Sequence, residues 1–220
     1  MARATAEPAA ALPAIAVFAR APVPGEAKTR LIPSLGAAGA AHLQGALIRR
    51  ALQTATDAAL GPVSLWCAPD CAHPLFLACR EDFGVSLRPQ QGADLGARML
   101  RAFTGLCRQG GALLIGADCP ALAVGAMQAA AAALGDGDDA VFIPAEDGGY
   151  VLIGLARPLA LLFHDIAWGS DRVMAQSRER LRGAGVRWRE LAPSWDVDRP
   201  EDLARLQASG LMREALREIG

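Results

Sequence analysis

Three positively charged side chains follow the first apolar segment of the chain, within FARAPVPGEAKTRLIP at residues 18–33. They are Arg20, Lys28 and Arg30, and Gly25 lies between them among prolines that stiffen the backbone. Guanidinium and ammonium groups bind phosphate oxygens, and glycine allows the backbone to approach a ligand closely. The segment lacks the spacing of a P-loop. We therefore predict that this loop binds a diphosphate or triphosphate, the alternative being a solvated basic loop.

Lys28 is the only lysine among 22 basic residues, and the chain contains no asparagine. This bias is typical of a GC-rich genome that replaces lysine by arginine wherever the chemistry allows. A lysine that persists can present a compact charge to a phosphate, which a planar guanidinium cannot do. We therefore assign Lys28 a role in catalysis as well as in phosphate binding, with chance retention as the alternative.

Aspartates follow two other apolar segments. Asp118 comes directly after ALLIGA, whereas Asp196 and Asp198 form a DVD motif late in the chain. Magnesium is usually held by one or two carboxylates together with the phosphates of a substrate. We predict a Mg²⁺ or Mn²⁺ site formed by Asp118 and Asp198, with Asp196 as the alternate ligand. The structural alternative is that Asp118 caps a helix, a position that aspartate often occupies.

Two further segments place glycine next to acidic residues. In QQGADLGARM, backbone groups could contact a nucleobase or ribose, although a loop with an aspartate cap is the alternative. In AEDGGY, Glu146 and Asp147 could accept the proton of an acceptor hydroxyl. The residues assigned to nucleotide binding here are Gln91, Gly92, Asp94 and Gly96, and those assigned to acceptor binding are Gly148, Gly149, Tyr150 and Trp168.

The composition excludes several classes of protein. With 52% hydrophobic residues the chain is too apolar to be disordered, and a formal net charge of −1 gives no basis for binding nucleic acid. No apolar run reaches the ~18 residues of a membrane span, so we expect none. The five cysteines have no CxxC spacing, which predicts reduced thiols in the cytoplasm. Monomer and homodimer both remain open.

Short apolar runs alternate with helical patterns along the chain, and this alternation predicts the elements that position the candidate site residues. Alternating strands and helices indicate a three-layer α/β/α domain with a mostly parallel sheet, and ligands bind beyond the carboxyl ends of such strands. We expect residues 1–14 to be a poorly ordered N-terminal extension and residues 15–220 to form one domain. The predicted strands are Ala14–Ala19, Val63–Cys67, Val85–Leu87, Ala112–Ala117, Ala140–Ala145, Val151–Leu155 and Val186–Leu191. The predicted helices are Gly36–Leu60, Leu75–Asp82, Asp94–Cys107, Leu122–Leu134, Ser170–Arg182, Pro200–Gln207 and Leu211–Ile219.

The segments FARAPVPGEAKTRL, QGADLGARM, GADCP, AEDGGYVLIGL, WGS and DVDRPEDL together resemble the DUF2064 family, over about Ile15 to Leu206. That family is described as glycosyltransferase-like (the transferase 1 type associated with radical-SAM and selenodomain proteins). It has the GT-A fold of nucleotide-diphospho-sugar transferases and is similar to MobA-type and 2-phospholactate guanylyltransferases. The resemblance implies a nucleotide over the first-loop cations and QGADLG, a metal at Asp118 and Asp198, and the acceptor near Glu146–Tyr150.

Our leading hypothesis is a metal-dependent transferase that moves a glycosyl group from a nucleotide sugar to a small acceptor. Mg²⁺ or Mn²⁺ would neutralise the diphosphate leaving group, and Asp147 or Glu146 would accept the proton of the acceptor. The alternative is a nucleotidyltransferase that uses a nucleoside triphosphate and a phosphorylated acceptor. The KTR segment resembles nucleotidyltransferases, and Asp118 stands alone where many glycosyltransferases have DxD. A third interpretation is a non-catalytic nucleotide-binding protein.

Overall fold

The computed structural model describes residues 12–108 and 110–219, so most of the expected N-terminal extension lies outside the described residues. Within these ranges the chain forms seven strands, named in chain order β1 (Ala14–Arg20), β2 (Val63–Ala68), β3 (Ser86–Pro89), β4 (Ala112–Gly116), β5 (Ala140–Pro144), β6 (Tyr150–Leu155) and β7 (Trp188–Glu190). The α-helices are α1 (Ile32–Asp57), α2 (Pro74–Phe83), α3 (Leu95–Leu106), α4 (Val124–Gly135), α5 (Val173–Gly183), α6 (Pro200–Ser209) and α7 (Arg213–Arg217).

All seven strands belong to one sheet, in the order β3-β2-β1-β4-β6-β5-β7. β6 is antiparallel to both of its neighbours, and the other strand pairs are parallel, which confirms the predicted mostly parallel sheet. β6 runs backwards because a tight turn joins it to β5, and only antiparallel strands can be joined so closely. Tyr150 at the start of β6 therefore pairs with Pro144 at the end of β5.

The sheet separates two apolar cores, because successive side chains of a strand point to opposite faces. Ile15 and Val17 of β1 belong to the core covered by α1, α2 and α4. Ala16 and Phe18 belong to the core covered by α3 and α5. This arrangement confirms the three layers, and it leaves only the ends of the strands accessible to a ligand.

α1 begins before its predicted start, and Gly36 lies within it in a non-helical conformation with φ 69°. By length and composition alone, the helical segment Thr29–Asp57 could cross a membrane. In the fold, Leu43, Leu47 and Ile48 of this helix are buried among other apolar side chains. α1 is thus a core helix of the α/β domain.

Candidate active site

A cavity of about 480 Å³ opens at the carboxyl ends of the central strands. Arg20 from the end of β1, Gln90 after β3 and Asp118 after β4 line it. Asp147, from the turn between β5 and β6, lines it as well. In α/β sheets this edge is where ligands bind. The cavity is therefore the candidate active site.

The predicted first-loop cations occupy three different environments. Arg20 lines the cavity, and none of the described carboxylates lies within ion-pair distance of it. The Lys28 side chain is only 6% exposed, and its Nζ lies 2.5 Å from Oδ1 of Asp118. The same Nζ donates a hydrogen bond of 2.6 Å to the carbonyl oxygen of Val197. Arg30 instead forms an exposed ion pair with Asp198, away from the cavity.

Two carboxylates are among the residues that line the cavity. Asp118 and Asp147 line it directly. The pKa of Asp196 is raised to about 6, mainly by burial and further by the nearby charges of Asp147 and Asp118. The backbone N–H of Val197 donates to the carbonyl oxygen of Asp118 at 2.9 Å, which fixes the DVD segment beside the end of β4. Of the two DVD carboxylates, Asp196 thus feels the charges of Asp118 and Asp147, whereas Asp198 pairs with Arg30.

A divalent ion suits this donor set. Carboxylates that lie close together repel one another, and a cation between them offsets that repulsion. The described residues contain no group of three or more side chains that could hold a metal ion without other ligands. Magnesium, however, commonly takes one or two carboxylates and completes its coordination with phosphate oxygens and water. Asp118 and Asp147 are the two cavity carboxylates that could serve in this way.

The paired acidic residues of AEDGGY have separate environments. Both carboxylate oxygens of Glu146 accept hydrogen bonds from Arg205, at 2.6 and 3.0 Å. These bonds lower the pKa of Glu146, and the Arg205 guanidinium also lies 4.5 Å above the Trp195 ring. Asp147 accepts a 2.9 Å hydrogen bond from the backbone N–H of Gly149 and lines the cavity. Only Asp147 of this pair is therefore available to a ligand.

Tyr150 and Trp168 belong to the wall of the cavity. The Tyr150 hydroxyl donates to Sδ of Met99 at 3.8 Å, and burial raises the pKa of Tyr150. The phenol is therefore neutral and acts as a surface for packing. Trp168 packs on α3 at Gly96, where a Cβ would lie 2.7 Å from the indole Nε1. Gly96 does not itself line the cavity, but its lack of a side chain makes room for Trp168, which does.

Several other residues assigned to ligand binding have structural roles in the backbone, as a helix cap or in tight turns. Asp94 caps α3 by accepting a 2.7 Å hydrogen bond from the N–H of Ala97, which is the structural alternative considered above. Gly25 and Gly148 have φ values of +86° and +92°, so each permits a turn that other residues adopt at a cost. Of the residues assigned to nucleotide, phosphate or acceptor binding, four line the cavity, namely Arg20, Gly149, Tyr150 and Trp168. The others are not among its lining residues: Gly25, Lys28, Arg30, Gln91, Gly92, Asp94, Gly96 and Gly148.

Sequence reasoning missed three polar residues that line the cavity, Gln90, Arg98 and Ser170. The first two are the more informative. Gln90 Nε2 donates to the carbonyl oxygens of Ala19 at 3.2 Å and Trp66 at 2.8 Å, which ties the ends of β1 and β2 together. Both residues lie in the QQGADLGARM segment that the sequence singles out. Which of its side chains face the cavity depends on where β3 ends and α3 begins. The sequence locates those boundaries only to within a few residues.

Comparisons with known proteins agree with this fold. The family model described as "Uncharacterized protein conserved in bacteria (DUF2064)" matches residues 51–170. Phosphoenolpyruvate guanylyltransferase of Rubrobacter xylanophilus is 34% identical over 201 residues, covering 89% of this chain and 96% of that protein. The crystal structure of a protein assigned as a nucleotide-diphospho-sugar transferase, from Desulfovibrio desulfuricans G20, has a TM-score of 0.76 at 29% identity, covering 93% and 94% of the two chains.

A more distant structure shows the fold alone. Rv0371c of Mycobacterium tuberculosis H37Rv, solved in complex with manganese, has a TM-score of 0.54 at 17% identity and covers 89% of this chain and 98% of its own. Together with the Desulfovibrio structure, it confirms the expected nucleotide-diphospho-sugar transferase type of fold.

Proposed function

Because this chain belongs to the DUF2064 family, we propose that it is a divalent-metal-dependent nucleotidyltransferase that transfers a nucleoside monophosphate to a phosphorylated small molecule. One observation carries the proposal: a single cavity combines the free cation Arg20 with the carboxylates Asp118 and Asp147. The guanidinium can bind phosphate oxygens, and the two carboxylates can bind a divalent ion. The 34% identity to a guanylyltransferase over most of both chains supports nucleotidyl transfer over the glycosyl transfer favoured by the sequence.

In this reaction Arg20 would bind the triphosphate, and Lys28 would keep Asp118 in place. Asp118 and Asp147, with Asp196 beside them, would hold Mg²⁺ or Mn²⁺, which neutralises negative charge on the phosphates and on the departing pyrophosphate. An oxygen of the acceptor phosphate attacks the α-phosphorus in line, and the bond from that phosphorus to the bridging oxygen of pyrophosphate breaks. A phosphate monoester is already anionic at neutral pH, so no general base is needed. Asp147 would then act as a ligand and not as a base.

Glycosyl transfer is the second candidate, and the similarity to the Desulfovibrio protein favours it. In that reaction the same cations would hold the diphosphate of a nucleotide sugar. Asp147 would accept the proton of an acceptor hydroxyl, since Glu146 is engaged with Arg205. The two candidates differ in their products, because one releases pyrophosphate and the other a nucleoside diphosphate.

The test is a product assay with the purified protein and Mg²⁺ or Mn²⁺. Each nucleoside triphosphate is supplied with phosphoenolpyruvate, and pyrophosphate release is measured; GDP- and UDP-sugars are assayed in parallel for nucleoside diphosphate release. We expect pyrophosphate with at least one triphosphate, and a loss of ~10²-fold or more in Asp118→Asn. Asp82→Asn is the control, because Asp82 of α2 forms a surface ion pair with Arg49 of α1. Release of nucleoside diphosphate alone would replace the proposal by glycosyl transfer.

A further inference from the structure

Gln90 lines the cavity and lies immediately after β3. Its backbone N–H donates to the carbonyl oxygen of Cys67 at 2.9 Å. Its side-chain Nε2 donates to two further carbonyl oxygens, those of Ala19 at 3.2 Å and Trp66 at 2.8 Å. Three hydrogen bonds therefore hold this residue against the ends of β1 and β2.

The same contacts determine which way the side-chain amide faces. Carbonyl oxygens can only accept hydrogen bonds, so the amide nitrogen of Gln90 must face Ala19 and Trp66, and the amide oxygen must face away from them. Both N–H groups of Nε2 are thereby used. In the part of the chain that the structure describes, no group donates to Oε1. Oε1 is therefore the polar atom that this side chain leaves for a ligand, and it can only accept.

The order of the strands separates Gln90 from the metal-binding end of the cavity. The sheet runs β3-β2-β1-β4-β6-β5, and neighbouring strands lie about 4.8 Å apart. The end of β2 is thus two strand spacings, or about 10 Å, from Asp118 after β4, and Asp147 lies beyond it in the turn between β5 and β6. Arg20 ends β1, between the two. A nucleotide with its phosphates at Arg20 and Asp118 can therefore extend its base over the end of β2.

The surface at this end of the cavity is suited to a flat ring. Ala19, Ala68 and Pro69 line the cavity at the ends of β1 and β2, and none of them has a polar side chain. Leu95 also lines it and is 43% exposed, which is unusual for a large apolar side chain. Covering such a surface with the face of a base is favourable. The edge of the base carries its donors and acceptors, and these need a polar partner.

We propose that Gln90 recognises the nucleobase, with Oε1 accepting a hydrogen bond from an exocyclic amino group of the base. The inference rests on the proposed function, because it requires a nucleotide in the cavity. Guanine, adenine and cytosine present an amino group as a donor, whereas a carbonyl oxygen in its place only accepts. Because both N–H groups of Gln90 are held by strand ends, the amide does not turn to donate to such an oxygen. Gln90 is in this sense a residue that determines nucleotide specificity.

The test measures nucleotide binding by calorimetry, with Mg²⁺ and without an acceptor. The triphosphates of guanosine and inosine, of adenosine and purine riboside, and of cytidine and zebularine are compared; within each pair only the first has the exocyclic amino group. We expect the wild type to bind the first member of at least one pair ~10-fold or more tightly, a preference worth ~1.4 kcal/mol. A site built to bond a substrate N–H disfavours the analogue that lacks it. Gln90→Met should reduce the preference to less than ~2-fold.

Gln91→Met is the matched control, because Gln91 is the next residue, is exposed and does not line the cavity. It should keep the preference. A purely structural role of Gln90 would weaken the binding of both members of a pair equally and leave their ratio unchanged. Gln90→Asn keeps an amide but withdraws it by one methylene group, so it should also lower the ratio, and it serves if Gln90→Met folds poorly.

Equal binding within every pair by the wild type, or an unchanged ratio in a folded Gln90 variant, would overturn the inference and leave nucleotidyl transfer standing. Failure of the wild type to bind any of these triphosphates would overturn both. A preference that the Gln90 variants lose, in a protein that releases no pyrophosphate, would contradict nucleotidyl transfer alone.

Discussion

Lys28 extends its ammonium group from the first loop to two acceptors on distant segments, Asp118 Oδ1 at 2.5 Å and the Val197 carbonyl at 2.6 Å. It therefore joins the predicted phosphate-binding loop to both predicted metal-binding segments. A buried charge is tolerated when it is paired and hydrogen-bonded, as here. The compact ammonium satisfies both acceptors at once, which a broader planar guanidinium could not do without moving one of them. This explains why lysine suits the position in a chain rich in arginine.

Lys28→Arg is expected to lower activity by at least ~10-fold, equivalent to ~1.4 kcal/mol. Because the side chain is only 6% exposed, we also expect the free energy of unfolding to fall by ~1–3 kcal/mol. Pyrophosphate release and urea unfolding measure the two effects. Arg49→Lys is the control, since the Arg49–Asp82 pair lies on the surface, and it should change neither quantity. An active and stable Lys28→Arg protein would mean that the ammonium has no special role.

Asp196 provides a pH-dependent prediction. Its pKa in the folded protein is about 6, against 3.8 in the unfolded chain, so between these values the folded state holds a proton that the unfolded state has lost. Stability of the metal-free protein therefore falls as the pH rises through this range. Asp196→Asn should stabilise the protein by about 1 kcal/mol at pH 7, after allowance for solvent screening, and by almost nothing at pH 4. Denaturant unfolding at both pH values measures this. An equal effect at the two pH values would contradict the assigned pKa.

At the scale of elements, the turn between β5 and β6 decides where the carboxylates of AEDGGY lie. The Gly148 N–H donates to Ala145, and the Gly148 carbonyl accepts from Met174 at the start of α5. The turn is thus fixed to the sheet on one side and to a helix on the other. It directs Asp147 to the cavity, while Glu146 pairs with Arg205 of α6.

Gly148→Ala should therefore destabilise the protein and misplace Asp147. The residue has φ +92°, and an added Cβ would lie 2.2 Å from the carbonyl oxygen of Asp171. We expect a loss of ~2 kcal/mol or more in urea unfolding, together with reduced activity. Gly125→Ala on α4 is the control, because a Cβ there meets nothing within 4 Å. It should stabilise the protein by ~0.5–1 kcal/mol. If Gly148→Ala behaved like the control, the turn would not be the rigid support described here.

At the scale of the whole molecule, the cavity exists because six of the seven strands, all except β6, end at the same edge of the sheet. β1, β2, β3 and β4 are parallel, so their carboxyl ends lie together, and β6 begins where β5 ends. Nucleotide and metal would contact residues from several strands at once. Binding of either ligand should consequently stabilise the whole domain and not one loop.

We expect nucleoside triphosphate and Mn²⁺ together to raise the melting temperature more than the sum of their separate effects. Phosphates complete the coordination that two carboxylates leave open, so each ligand increases the affinity for the other. At a hundred times the dissociation constant the gain is ~2.7 kcal/mol, or about 5–10 °C for a chain of this size. Thermal unfolding with each ligand alone and with both measures it. Asp118→Ala should lose the synergy, and merely additive shifts in the wild type would contradict a shared site.

The amino-acid sequence by itself determined the elements and the segments that carry chemistry. Runs such as ALLIGA are apolar without alternation because the strand is buried on both faces, and this pattern is local. The alternation of such runs with helical patterns confined the chain to a layered α/β sheet, whose carboxyl edge binds ligands. The six motifs that resemble the DUF2064 family are likewise carried by the sequence itself.

Only the tertiary structure decided the strand order, the insertion of β6 between β4 and β5, and the partner of each charged residue. Lys28 meets Val197 across 169 positions, and Arg30 meets Asp198 across 168. The charges of Asp147 and Asp118 act on Asp196, whereas Asp198 pairs with Arg30, although the two aspartates have similar settings in the sequence. The local pattern of apolar residues indicates which side of a helix or strand is buried. Contacts between distant segments depend on how all the elements pack together, which no single stretch of sequence contains.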